Sequence, residues 1–65
     1  MISLKDIKMA GTDVSVEIWL RSVAPKDKQI VTEAVYECLR RNWPVNLMEI
    51  GYLAREMRKK ALAGA

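Results

Sequence analysis

The chain has 65 residues, 51% of them hydrophobic, with 11 Lys/Arg against 8 Asp/Glu for a net charge of +3, one Cys and no His. A length this short supports one domain at most, and folding at this size hides only about 60% of the unfolded surface. One Cys without His excludes an internal disulfide and speaks against zinc or haem ligation. Association is then the remaining way to supplement so small a core.

Residues 1–12 read as an N-terminal arm ahead of a single domain over 13–65. Ile2 and Leu4 alternate like an edge strand, while Ser3 with Asp6 can open a helical turn. Gly11-Thr12-Asp13 reads as a turn. Residues 13–20 alternate, with Val14, Val16, Ile18 and Leu20 on one side and Asp13, Ser15, Glu17 and Trp19 on the other. β-Branched residues at period two favour a half-buried strand. A helix remains open as the alternative, because Val16, Trp19, Leu20 and Val23 also fit a helical stripe. A lone strand needs a partner for its backbone groups, in residues 2–8 or in a second chain.

Pro25 suits the first turn of a helix, and Asp27 is an alternative cap. Ile30, Val31, Ala34, Val35, Cys38 and Leu39 form a broad apolar stripe opposite Lys26, Glu33, Glu37 and Arg40, which predicts about four helical turns. The helix ends near Arg41-Asn42, ahead of Pro44. Asn46 with Glu49 resembles a capping box for a second helix from Leu47 to about Ala63. Its apolar face holds Leu47, Ile50, Leu53, Ala54, Met57 and Ala61, with Tyr52, Glu56, Lys59 and Lys60 facing away. Gly51 inside it either allows the close approach of another backbone or is merely tolerated. Trp43 beside Pro44 is expected to plug the base of the helical pair.

Catalysis has no foothold in this pattern. There is no His for acid–base work, no nucleophile–base pair and no Gly-rich phosphate loop. Cys38 is expected as a small buried hydrophobe. No cofactor or metal is expected. No apolar run reaches the roughly 18–20 residues of a membrane span and Met1–Asp6 opens no signal-peptide core, so a cytoplasmic, non-membrane protein is expected. The charge is uneven: residues 1–33 carry five basic and five acidic residues, and residues 34–65 carry six against three. That basic half suits an anionic partner, nucleic acid first. Arg55, Arg58, Lys59 and Lys60 also complement the dipole at the end of the second helix.

The order of strand 14–20, Pro25 opening a helix, Asn42 at its end, Val45-Asn46 before a second helix, and the Lys59-Lys60 tail resembles the ribbon-helix-helix family of DNA-binding proteins over residues 13–63. The resemblance implies an α+β (β-α-α) intertwined homodimer whose paired strands form a two-stranded ribbon in the major groove of duplex DNA. On that basis Ser15, Glu17, Trp19 and Arg21 are the candidate base-reading residues. Arg40, Arg41, Leu47, Met48, Arg55, Arg58 and Lys59 are the candidate phosphate contacts, Leu47 and Met48 through backbone N–H groups at a helix N-terminus. The function expected is a small homodimeric transcriptional regulator. The alternative is a protein-binding modulator that docks on a host protein through its apolar surface, with Trp19 as an anchor.

Overall fold

The computed structural model describes residues 3–63. A 3-10 turn over Leu4–Asp6 is closed by the Asp6 N–H donating to the Ser3 carbonyl at 2.9 Å. An extended segment then doubles back on itself. Lys8 and Ser15 form an isolated antiparallel bridge, with the Met9 N–H on the Val14 carbonyl and the Val16 N–H on the Ile7 carbonyl, each at 2.8 Å. The turn between them is closed by the Thr12 N–H on the Met9 carbonyl at 3.0 Å. Gly11 stands at φ +77 in that turn, a backbone angle that suits a residue without Cβ. The Thr12 hydroxyl adds bonds to the Met9 carbonyl and from the Val14 N–H.

The β-α-α ribbon expected from the alternation at 14–20 is overturned, because among the described residues no strand extends beyond that one bridge. Val16–Leu20 is instead a short helix, α1. Ser15 caps it, its Oγ accepting the Ile18 N–H at 3.2 Å, which satisfies an N-terminal donor that a strand would have left to a partner chain. Helical spacing sends Val16 and Leu20 into the core and leaves Ile18 54% and Val14 43% exposed. Those four residues were expected to share one face. With no ladder to join, the segment satisfies its backbone locally. The intertwined ribbon dimer therefore has no strand to build on. Ile2 of the expected edge strand lies outside the described residues, and Leu4 belongs to the 3-10 turn.

A 3-10 turn at Pro25–Asp27 leads directly into helix α2, Lys28–Arg41. Its end is a Schellman arrangement. Asn42 takes the left-handed conformation at φ 59, its N–H reaching the Leu39 carbonyl at 3.2 Å and the Trp43 N–H the Cys38 carbonyl at 2.8 Å. Asn tolerates that conformation better than most residues. Helix α3 runs Leu47–Ala63, and Asn46 caps it by accepting the Glu49 N–H on Oδ1 at 2.8 Å. Both helices occupy the ranges that their periodicity predicts.

Ala34, Val35 and Cys38 of α2 pack with Ile50, Leu53 and Ala54 of α3, at the spacings that align one face of each helix. Val16 and Leu20 of α1, together with Ile7, Met9 and Val45, complete the same core. Residues 7 and 9, read from sequence as part of an arm, are thus core residues. Two members assigned to the apolar face of α3 lie outside it: Leu47 is 66% exposed and Ala61 is exposed. The α3 residues from Arg58 to Ala63 are all exposed, so the last turn and a half of the helix extends past the core. A Cβ at Gly51 would meet nothing within 4 Å, so that glycine serves no close approach inside the described chain.

Candidate functional site

One hydrogen bond organises the surface. The Ala10 N–H donates to the Val45 carbonyl at 2.8 Å, tying the N-terminal hairpin to the connector between α2 and α3. An open groove of about 610 Å³ lies along this junction. Met9, Ala10 and Thr12 line it from the hairpin, Val14 and Trp19 from the approach to α1 and its last turn, and Asn46, Leu47 and Met48 from the start of α3. None of the eight carries a charge. Met48 is 79% exposed and Leu47 66% exposed beside it, while Trp19 is half-buried against the core. Singly scattered apolar residues on a surface carry no message, but apolar side chains grouped around a concavity mark an interaction site.

The four expected base-reading residues do not share a face as a ribbon would require. Ser15 is 6% exposed and engaged as the α1 cap. Glu17 and Arg21 are exposed on α1 and just beyond it, and Trp19 turns toward the groove. Of the expected phosphate contacts, Leu47 and Met48 do lie at a site, but what they present there is apolar side chain.

The basic candidates lie along the C-terminal parts of α2 and α3, where most of them are already engaged. Arg40 Nη1 and Arg41 Nε each meet a Glu37 carboxylate oxygen at 2.7 Å. Arg58 pairs with Asp27, and Lys59 lies 3.7 Å from Glu56. Arg55 stands exposed on α3. Arg41 also covers the Trp43 ring at 4.9 Å, and Trp43 tilts against Tyr52 at 6.3 Å between centroids. Trp43 therefore closes the connector end of the α2–α3 pair, as expected. It does so through an aromatic contact and a cation–π contact of about 0.5–1 kcal/mol at an exposed site. Exposed ion pairs of this kind contribute about 0–1 kcal/mol each to stability. Their consequence here is to offset the charge that would attract phosphate.

The Arg41 hydrogen bond, with the charges of Arg40, Arg41 and Lys60 behind it, holds the Glu37 carboxyl below its usual 4.5 despite the opposing effect of burial. A lowered carboxylate pKa favours the folded state above the unfolded-state value, and that advantage is lost as pH falls through 4.5 toward the folded value. Glu37→Gln is therefore expected to flatten the acid limb of a stability-against-pH curve below about pH 5 and to leave the curve's shape above it unchanged, as read by urea midpoints across pH.

Cys38 is fully buried, and burial, reinforced by Glu49, pushes its thiol above the usual 9.0. It stays protonated at neutral pH and packs as a small hydrophobe, in the role its place in the apolar stripe predicts. Among the described residues, no group of three or more His, Cys, Asp or Glu side chains is placed to hold a metal, and no helix is long and apolar enough to cross a membrane.

No family model matches the chain, and no curated protein or solved structure matches it either.

Met9, Ala10, Thr12 and Val14 are site residues that sequence reasoning missed, and Asn46 was read only as a helix cap. Their only local signal is a hairpin-like turn at 11–13. What makes them a site is their junction with residues 45–48, more than 30 positions away.

Proposed function

We propose that this chain is a small protein-interaction module, acting in the cytoplasm by binding rather than by catalysis. Its binding face is the uncharged groove between the N-terminal hairpin and the start of α3. The observation that carries the reading is the set of apolar side chains from three separate segments around one concavity, with Met48 79% and Leu47 66% exposed at its edge. Such a face loses water on docking, and Trp19 at its inner wall is the kind of anchor that dominates interface energetics. The buried, protonated state of the one thiol supports a non-catalytic role and suits a reducing compartment.

Binding of duplex DNA is the second reading, supported by the basic excess and by exposed Arg55. It ranks lower because Arg40, Arg41, Arg58 and Lys59 are each within ion-pair distance of a carboxylate. The salt slope of nucleic-acid binding grows with the number of phosphates neutralised, and pairs already made on the protein reduce that number.

A photoreactive residue placed at Met48, or separately at Lys60, tests the choice in the producing cell. Protein adducts formed from position 48, suppressed by Val14→Glu and weak from position 60, are the expected result. Nucleic-acid adducts formed mainly from position 60 would overturn the reading in favour of the second.

A further inference from the structure

We propose that the groove carries a redox switch at Met48, where a hydroperoxide oxidises the thioether to the sulfoxide, weakens apolar docking and leaves the fold intact. The proposal rests on the docking reading above and adds its regulation.

Access is the first argument. The described residues hold four sulfur atoms, those of Met9, Cys38, Met48 and Met57. Met9 is 7% exposed, Cys38 is fully buried and Met57 is partly buried against the core. Met48 is 79% exposed. The Cys38 thiol is also the unreactive species, since burial keeps it protonated and the thiolate is the nucleophile. A peroxide in water therefore meets Met48 first.

Place is the second. Met48 lines the groove together with Val14, Trp19 and Leu47. Its sulfur attacks one oxygen of the peroxide, so that an S–O bond forms as the O–O bond breaks and the other oxygen leaves as water or an alcohol. Sulfur loses two electrons and the peroxide gains them. The product turns a flexible apolar side chain into a polar one. In the free chain the sulfoxide oxygen stays hydrated. Docking strips that water inside an apolar contact, which should weaken binding by about tenfold.

The third argument is what Met48 does not hold up. It projects from the first turn of α3 and belongs to no part of the core. The same reaction at Met9 or Met57 would put a polar group against packed side chains. The exposure pattern thus directs an oxidant to the methionine whose change alters binding and spares folding. A docked partner covers Met48, so the switch acts on the free chain.

Titration of the full chain with hydrogen peroxide tests the proposal, read by peptide mass mapping and by the fluorescent probe bis-ANS. The methionines fall in four tryptic peptides, residues 1–5, 9–21, 42–55 and 56–58. Sulfoxide should form at Met48 before Met9 and Met57. Probe affinity, taken as the part that Val14→Glu suppresses, should fall by about tenfold, with helical circular dichroism retained. Treatment with methionine sulfoxide reductases should restore it. In Met48→Leu, peroxide should no longer change the affinity.

Oxidation of Met9 or Met57 ahead of Met48 overturns the switch. So does unchanged probe affinity once Met48 is fully oxidised, or an equal fall in Met48→Leu. Each of these leaves the groove as a docking face. An untreated chain in which Val14→Glu suppresses no probe binding removes the docking reading, and the switch with it.

Discussion

Val16→Asp is expected to leave the chain unfolded, and Ile18→Asp to leave it folded. Val16 is fully buried between the N-terminal segment and the helical pair, whereas Ile18 is 54% exposed two residues later. A carboxylate at position 16 would be desolvated without a partner, a change that falls among the exceptional substitutions costing about 4–5 kcal/mol or more. The whole stability of a 65-residue domain is roughly 3–10 kcal/mol. A carboxylate at position 18 stays in water, in the first turn of α1, where the helix end favours negative charge. Its effect should stay within about 0.5 kcal/mol. Circular dichroism melts of the two variants read the difference. Equal damage from both would mean that positions 16 and 18 share a buried face, as they would on a strand, and would refute α1.

The same segment shows where sequence reasoning stops. Val14 to Leu20 satisfies period two and, through Val16, Trp19 and Leu20, a helical stripe as well. β-Branched residues favour a strand because their restricted side chains pack well on a pleated surface. What decides the matter is not local. A strand requires a ladder, and among the described residues there is one bridge, at Lys8 and Ser15. Ser15 meanwhile supplies a cap that closes a helix at once. Helices α2 and α3 were legible because 14 and 17 residues of consistent periodicity leave no competing period. Their boundaries are also written in side chains that act locally, Asn42 at one end and Asn46 at the next.

The groove was legible only in part. Leu47 and Met48 were singled out for their backbone N–H groups, and Trp19 as an interface anchor on a strand. The hairpin residues that complete the groove were invisible, because the bond from Ala10 to Val45 spans 35 positions and leaves no periodic trace. The basic cluster was misjudged for a related reason. Composition counts cations but does not show that Glu37, Asp27 and Glu56 stand within reach of them. The pairs of Glu37 with Arg40 and Arg41 are exceptions, since they stand one helical turn apart and are legible from that spacing.

Leu53→Ala and Leu47→Ala, the same substitution on the same helix, are expected to act on two different equilibria. Leu53 is 3% exposed at the α2–α3 contact. Its truncation removes buried methyl groups and leaves a cavity, at a cost of about 2–5 kcal/mol. That approaches the full stability of so small a domain, and the loss should be the same at every protein concentration. Leu47 is 66% exposed in the monomer, so its truncation should cost the isolated chain no more than about 0.5 kcal/mol. Leu47 acts instead on docking: it lines the groove, so its truncation should weaken binding of the apolar fluorescent probe bis-ANS while the fold is retained. Leu47→Ala should then keep nearly the wild-type urea midpoint and lose probe binding. Leu53→Ala should lower the midpoint far below that of the wild type. Undiminished probe binding by Leu47→Ala would show that this side chain takes no part in the docking face. A concentration-independent loss as large as that of Leu53→Ala would place Leu47 inside the monomer core.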